Sequence, residues 1–540
     1  MSRSAAPSSP PRHLLWMLHV VVLIMTLALA LWGYNHYLPN WDLADNILRA
    51  QRLYMEGERY GADVWGPNVP LVFMLHYPPT LVARWLQADP WLFNLLYFAL
   101  WQWAAWLALS AALRQIVGAQ LWLLAGFALL HVVTFQLLAG FDYAQRDHLF
   151  ILLFLPALLH WHAREQGAPA APASRWSAFA MAGVGCAIKP YYLLAPLLLL
   201  LISMLRQRSM ATVWRAEERL FLLVTLSATC LPMLARPDWF DQFAQMRDLY
   251  GALSNPLSKI VNISWPYPAA WVALALLSET LIARPNRPLI RTLLLGAMGC
   301  YGILLLQQRG WLYHQVPSAM MTAFLSGAVA LLLLQRWRET GFGWPQRIVA
   351  LLCIVALYHY NPAISRWLAS SASAQTVKQQ LTPVAKALHP FIAPGSRVVY
   401  LSASAPLVMT LSGMLGAPAK HQPLPHLFII GGIQRLKGQG RHHEARAYLD
   451  KVMAQWRKVL SQPHLDAIVV DRRITGHDTI FGEFDILAFF RQDPAMHRIL
   501  SGFQQRDFPA LGWSLLTPAQ GAATGVDENT PLIFRAPAAP

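Results

Sequence analysis

The sequence predicts a mainly α-helical protein that crosses a membrane many times and ends in a soluble α/β domain. Hydrophobic residues occupy 56% of the 540 positions, and charged residues only 13%. Apolar runs such as 14–32, 91–109 and 316–334 approach the ~20 residues that span the hydrocarbon core of a bilayer. From about residue 367 the composition becomes that of a soluble domain. These observations predict a helical bundle of about eleven spans followed by a separate domain.

The predicted spans are 14–33, 91–110, 120–139, 148–162, 177–188, 191–205, 220–234, 267–283, 289–306, 316–334 and 348–366. The segment 177–205 is divided into two because Lys189-Pro190 lies in its middle. Proline interrupts the hydrogen-bond ladder of a helix, and a charge at the tip of a hairpin avoids the bilayer centre. All four cysteines lie in apolar segments, so neither a disulfide framework nor a metal cluster is predicted.

The formal charge of +16 reports membrane topology and does not indicate a nucleic-acid partner. If the N-terminus lies inside, the cytoplasmic connections are rich in basic residues, which are Arg3, Arg12, Arg114, Arg164, Arg175, Arg206, Arg208, Arg215, Arg219, Arg284, Arg287, Arg291, Arg336, Arg338 and Arg347. Few acids accompany them, whereas the outer connections hold both signs in near balance. By the positive-inside rule the N-terminus is cytoplasmic and the C-terminal domain lies outside.

Two long outer loops are predicted within the membrane module 1–366, at 34–90 and 235–266. Helical spacing after the first span places the charged residues Asp42, Asp45, Arg49, Arg52 and Glu56 on one face. Leu43, Ile47 and Tyr54 fall on the opposite face. This pattern predicts an amphipathic helix that lies on the membrane surface.

The C-terminal domain, 367–540, is predicted to be α/β or α+β. Strands are expected at 397–404, 466–473 and 531–536, and an amphipathic helix at 440–460.

Polar residues at the outer ends of the spans are the candidates for chemistry. A carboxylate at Asp42 or Asp45 can accept the proton of a hydroxyl group that attacks a sugar carbon. The alternative is structural, since Asn40 or Asp42 is also well placed to cap the helix that follows.

The run Gln145-Arg146-Asp147-His148 marks the outer end of the fourth span. Arg146 can bind a phosphate through two hydrogen bonds, and Asp147 can orient His148. An ordinary polar turn that caps a short helix explains the same residues.

Two further segments carry cations near the outer face. The ammonium group of Lys189 is costly among apolar helices unless it has an anionic partner. A lipid phosphate would provide one, and snorkelling of the side chain to the membrane interface would serve as well. In the run 307–314, Arg309 and His314 are candidates to bind phosphate, while Tyr313 and its aromatic neighbour Trp311 also suit the membrane interface. Together these groups match what is needed to remove a phosphate leaving group from a lipid-linked sugar.

These motifs resemble those of the GT-C superfamily of integral membrane glycosyltransferases. The resemblance rests on Asp42 within WDLAD, on Tyr60 and Tyr77-Pro78-Pro79, on Lys189-Pro190, and on the outer C-terminal domain. The stretches QRDHL and RGWLYH add to it. Enzymes of this superfamily use polyprenyl-phosphate sugars, and the acid of the first loop is their catalytic base, a role that the resemblance gives to Asp42. Asp45 is a second candidate. Because the two acids are not adjacent, no metal site is assigned, and no cofactor is expected.

The resemblance implies a hexosyl- or pentosyltransferase in a bacterial inner membrane. It would move a sugar from a polyprenyl phosphate to a glycan, lipid or protein acceptor of the cell envelope at the periplasmic face. Arg146, Lys189, Arg309 and His314 would bind the donor phosphate, with Asp147, His148 and Tyr313 in support. The alternatives are a transporter or flippase for a lipid-linked glycan and a non-catalytic subunit of a polysaccharide assembly system.

Overall fold

The computed structural model describes residues 11–37, 40–61, 63–64, 66, 68–118, 120–340, 343–344, 348, 377, 379–402, 405–417, 428–462, 464–472 and 485–519. Within these ranges the chain is mainly helical, as the sequence predicts.

The helices, in chain order, are α1 (Arg12–His36), α2 (Trp41–Tyr54), α3 (Pro70–Trp85), α4 (Pro90–Ile116), α5 (Leu121–Val132), α6 (Arg146–Glu165), α7 (Pro172–Ala187), α8 (Leu194–Gln207), α9 (Ala216–Ala235), α10 (Asp238–Ala252), α11 (Leu257–Ser264), α12 (Pro266–Leu281), α13 (Arg287–Gln307), α14 (Val316–Thr340), α15 (Ala405–Leu415), α16 (Phe428–Gly438), α17 (His442–Leu460), α18 (Ile486–Arg491) and α19 (Pro494–Ser501). A further helical stretch covers 379–388. The strands are β1 (Val398–Leu401), β2 (Ala467–Asp471), β3 (Phe503–Phe508) and β4 (Trp513–Pro518).

The chain forms two compact units. The helical unit consists of Met1–Tyr37, Leu95–Leu234 and Ser254–Ser371, and the sheet unit consists of Leu38–Asn94, Ala235–Leu253 and Ala372–Pro540. The sheet unit therefore contains most of both predicted outer loops together with the C-terminal part. This differs from the predicted division at 366, which assigns both loops to the membrane module. Contacts within the sheet unit explain the difference, since Gln455 donates a hydrogen bond of 3.1 Å to the carbonyl of Gly61.

Six helical segments in the described part of the chain are long and apolar enough to cross a membrane, and the α11–α12 pair, bent by 48°, makes a possible seventh. The six are Arg12–His36, Pro90–Ile116, Pro190–Gln207, Ala216–Ala235, Arg284–Gln307 and Tyr313–Glu339. The chain is thus a multi-pass membrane protein. Every predicted span up to residue 334 coincides with a helix, although Leu121–Leu137 is a shorter apolar one and neither α6 nor α7 is among the six. The last predicted span, 348–366, lies outside the described residues, so the number of about eleven remains a prediction.

Helix α6 forms the centre of the helical unit. All of its residues from Arg146 to Ala163 are buried, and its neighbours include α7, α13 and α14. A helix that is apolar around its whole circumference requires such burial. Gly185 of α7 permits the close approach, because a Cβ atom there would come within 3.2 Å of the Cβ of Leu153.

The described part of the sheet unit contains a four-stranded sheet in the order β1-β2-β4-β3, in which β1 and β2 are parallel and the other pairs antiparallel. Apolar clusters of buried residues pack against the sheet, one around Ile468 and Val470 and the other around Val469 and Leu515. Since successive residues of a strand point to opposite faces, both faces are covered. Strands β1 and β2 and helix α17 confirm three predicted elements. The hairpin β3–β4 was not predicted, and the predicted strand 531–536 lies outside the described residues.

Helix α2 corrects the prediction of an amphipathic helix on the membrane surface. The helix forms as predicted, but it is buried within the sheet unit, against α3 and α15. Residues of its charged face are covered too, with Arg49 only 1% exposed and Arg52 only 3% exposed. Local acids make this possible, because Asp45 lies 2.7 Å from Arg49 and Glu58 lies 2.6 Å from Arg52.

Candidate functional site

The turn before α6 is held by two side chains. Gln145 caps the helix, since its side-chain oxygen accepts a hydrogen bond of 2.5 Å from the backbone N–H of Asp147. His148 accepts a hydrogen bond of 3.3 Å from the N–H of Ala144, and its Nε2 lies 2.6 Å from the carbonyl oxygen of Phe135. The predicted contact between Asp147 and His148 is therefore replaced by contacts of His148 with the backbone. Because the ring of His148 is buried, backbone groups are its nearest hydrogen-bonding partners.

Asp147 and Lys189 form a buried ion pair. The Nζ atom of Lys189 donates to Oδ2 of Asp147 at 2.6 Å, and the two side chains are 11% and 0% exposed. Lys189 lies at the break between α7 and α8, as the sequence predicts. The carboxylate of Asp147 thus provides an anionic partner for Lys189 within the protein. The sequence alone suggests only a lipid phosphate or snorkelling to the membrane interface. Such a pair is not in itself evidence of stability, because desolvation opposes the attraction of the two charges.

The third segment joins α13 to α14. Asn255 holds this segment in position, because the side-chain amide of Asn255 donates a hydrogen bond of 2.5 Å to the carbonyl of Arg309. Lys189 lies with its Nζ atom 5.5 Å from the centre of the Tyr313 ring, within the range of a cation–π contact. The rings of Tyr313 and His314 are 4.3 Å apart. Lys189 thus connects Asp147 of α6 to this segment.

The four predicted phosphate-binding residues meet in the helical unit. His314 is buried, and the charges of Lys189, Arg146 and Arg309 all act on its ring. We call these four residues, Arg146, Lys189, Arg309 and His314, the cation cluster. Helix α6 begins at Arg146 and α14 begins two residues after His314, so two helix N-termini add partial positive charge. Arginine, lysine and helix N-termini are the groups that bind phosphate in proteins.

The candidate acids Asp42 and Asp45 belong to the sheet unit. Asn40 caps α2, since its side chain accepts a hydrogen bond of 2.9 Å from the N–H of Asp42. Of the two residues considered as caps, Asn40 therefore has that role. Asp45 is paired with Arg49, which commits part of its hydrogen-bonding capacity to holding α2.

A second polar group in the sheet unit was missed by sequence reasoning. Arg236 donates hydrogen bonds to the carbonyls of Leu53 at 2.9 Å and Glu58 at 2.7 Å, and Asp238 accepts one of 2.8 Å from the N–H of Tyr60. These bonds join the two predicted loops. Burial alone would raise the pKa of Asp238, but the hydrogen bonds from Arg236 and Tyr60 outweigh it and lower that pKa below its ordinary value. The run Arg236-Pro237-Asp238 directly after a span was the available signal.

No family model matches the chain, and no curated protein matches it. Solved structures do resemble it. ArnT from Cupriavidus metallidurans bound to undecaprenyl phosphate superposes with a TM-score of 0.53 at 14% identity, covering 95% of this chain and 99% of that one. The same protein in the apo state gives a TM-score of 0.52 at 13% identity, covering 94% and 99%. These likenesses extend over the whole chain and confirm the GT-C-like fold that the sequence resemblance implied.

Proposed function

We propose that the chain is a membrane glycosyltransferase that moves a sugar from a polyprenyl-phosphate donor to an acceptor of the bacterial cell envelope. The observation that carries this proposal is the cation cluster. Its residues come from three separate segments of the helical unit, and the charges of Arg146, Lys189 and Arg309 all act on the ring of the fourth, His314. Buried or half-buried cations gathered in this way suit an anionic ligand.

The anion is best explained as the phosphate of a lipid. The cluster lies in a unit of membrane-spanning helices, where an anion attached to an apolar chain has direct access. ArnT, which has the same fold, is described bound to undecaprenyl phosphate. That likeness supports a polyprenyl phosphate as the partner, and a water-soluble nucleotide sugar lacks this support.

In the proposed reaction an acceptor hydroxyl attacks the anomeric carbon of the sugar. The bond from that carbon to the phosphate oxygen breaks, and its electron pair stays on the departing polyprenyl phosphate. The proton of the hydroxyl passes to Asp42, the role that the family resemblance implies, with Asp45 as the second candidate. The cluster stabilises the negative charge that develops on the phosphate. Asp147 and Tyr313 position Lys189, and His148 holds the turn that begins α6.

The proposed location is the inner membrane of a bacterium, with the site facing the periplasm. The arginine-rich connections support it, because the positive-inside rule favours a cytoplasmic N-terminus for such a pattern. The sheet unit is proposed to hold the acceptor, which is a glycan, a lipid or a protein, and the sugar is a hexose or a pentose.

The test uses purified protein in liposomes, a panel of polyprenyl-phosphate sugars and crude envelope as acceptor, with release of polyprenyl phosphate as the readout. Wild type and Asp42→Asn are compared with Asp450→Asn, which alters a carboxylate that is 56% exposed. We expect turnover of one donor by wild type and Asp450→Asn, and a loss of about 100-fold or more in Asp42→Asn.

Full activity in Asp42→Asn would remove Asp42 as the base and leave the enzyme. An absence of turnover with every donor would contradict the proposal. It would favour the transporter or the non-catalytic subunit instead.

A further inference from the structure

In and beside the cation cluster, several polar side-chain atoms are buried without a hydrogen-bond partner among the described residues. They include Nε2 of Gln145, Oδ1 of Asp147, Nδ1 of His314 and Oγ of Ser318. The four residues are at most 4% exposed. Buried polar atoms are nearly always paired in folded proteins, and each exception calls for a ligand or a bound water. We call these four atoms the polar collar.

The collar lies against the cluster through contacts within the helical unit. Gln145 and Asp147 are joined by the cap of α6, and Asp147 is joined to Lys189 by the ion pair. Lys189 faces Tyr313, whose ring contacts that of His314. The chain of contacts therefore runs from Gln145 to His314 without a gap.

Ser318 extends this chain by one helical turn. It lies four residues after His314 and is the third residue of α14, so about one helical turn separates the two. Its hydroxyl is fully buried. Two other hydroxyls of α14 are paired, since Thr322 donates a hydrogen bond of 2.7 Å to the carbonyl of Ser318 and Ser326 donates one of 2.7 Å to the carbonyl of Thr322. The unpaired hydroxyl is the one at the end where the cations gather.

We propose that the polar collar binds the hydroxyl groups of the transferred sugar, next to the phosphate in the cation cluster. The collar combines an amide donor, a carboxylate acceptor, an imidazole nitrogen and a hydroxyl. A set of donors and acceptors together matches sugar hydroxyls, since each of them both donates and accepts. This assignment rests on the proposed glycosyltransferase function and adds to it the residues that recognise the sugar.

The experiment separates recognition of the sugar from recognition of the phosphate. Dissociation constants are measured by native mass spectrometry for undecaprenyl phosphate and for its phosphodiester with glucose, the glucosyl lipid. The variants are Ser318→Ala and Gln145→Ser, because serine retains the ability to cap α6. The matched control is Ser326→Ala, which removes a paired hydroxyl from the same helix.

In both collar variants we expect the dissociation constant of the glucosyl lipid to rise about tenfold, while that of undecaprenyl phosphate changes by less than about twofold. The control leaves both constants unchanged.

Equal weakening of the sugar-bearing and the sugar-free lipid would assign the collar to the phosphate or to folding, and would overturn the proposal. No change for either lipid would assign it to ordered water, which offers the same hydroxyl chemistry, and would overturn it too. Both of these results leave the proposed function intact. Wild-type protein that binds neither lipid would overturn the proposed function and the collar together.

Discussion

Both ends of helix α6 are buried and charged, but they match their charges differently. At the C-terminal end, Arg164 lies 3.2 Å from Glu218 and 3.6 Å from Glu217, and Arg175 lies 2.8 Å from Glu217. These two arginines and two glutamates balance each other. At the N-terminal end, Asp147 pairs with Lys189, and cations from three segments of the chain act on the ring of His314.

The difference indicates which buried charges are structural. Each carboxylate of this network lies against a guanidinium, so the network needs no ligand to balance its charges. Its role is to fix how α6 packs against α7 and α9. Cations gathered from separate segments repel one another, which is unfavourable for the protein alone and favourable for a complex with an anion. Arrangements that are locally unfavourable for stability are expected at binding sites, where the ligand compensates for them.

The largest effect is expected at the balanced end. The substitution Glu218→Gln removes a carboxylate that neutralises the buried guanidinium of Arg164. We expect the loss to lower the free energy of unfolding by about 3 kcal/mol or more. We expect a lower midpoint of thermal unfolding in detergent than for wild type. The control is Glu444→Gln, which alters a pair with Arg441 whose side chains are 41% and 36% exposed, and it should shift the midpoint little. An unchanged midpoint in Glu218→Gln would show that the network does not hold α6.

At the other end, the main effect should be on binding. Lys189→Met removes a buried charge, and we expect the dissociation constant of undecaprenyl phosphate to rise about thirtyfold or more. The measurement is lipid titration of the monodisperse protein. Lys386→Met, which removes an exposed lysine of the sheet unit, serves as the control. A Lys189→Met variant that binds undecaprenyl phosphate as tightly as wild type would contradict the proposed difference between the two ends of α6.

Arg309 is half-buried, so its contribution should be smaller and sensitive to salt. We expect Arg309→Gln to weaken undecaprenyl phosphate binding about fivefold at low ionic strength and less at high ionic strength. Arg291→Gln is the matched control. It removes an arginine that is 63% exposed and lies in the first turns of α13, whereas Arg309 follows the last residue of that helix. Equal losses in the two variants would mean that binding depends on total charge and not on the cluster.

The smallest effect is expected for Arg215→Gln. Arg215 pairs with Glu165 at 3.1 Å just beyond the balanced network, and its side chain is 32% exposed. Ion pairs near solvent contribute less than about 1 kcal/mol. The unfolding midpoint should therefore stay close to that of wild type, and lipid binding should not change. A loss as large as that of Glu218→Gln would extend the structural network to this pair.

The sequence was informative where local chemistry decides the structure. The polar run at Gln145 marks the start of α6, and Lys189-Pro190 marks the break after α7. The partner of Lys189 was not predictable, because Asp147 lies 42 residues away and only the packing of α6 and α7 brings the two together. The cation cluster was predicted as a set of residues, but its ion pair and its polar collar depend on that packing.

Periodicity identified the two faces of α2 but not what covers them. Charged residues on one face usually indicate solvent, whereas here Arg49 is buried because Asp45 neutralises it locally. The hairpin β3–β4 escaped prediction for a related reason. Residues 504–507 of β3 are polar and exposed, so this edge strand lacks the apolar alternation that indicates a strand.

The central claim is that the N-terminal end of α6 recognises a phosphate on a lipid. It is tested most directly by comparing undecaprenyl phosphate with undecaprenol, which has the same chain and no charge. Binding of both is measured for wild type and for the double variant Arg146→Gln with Lys189→Met. We predict that wild type prefers the phosphate by about 100-fold or more and that the double variant loses most of this preference. Equal binding of the two lipids by wild type, or a preference that survives in the double variant, would contradict the account.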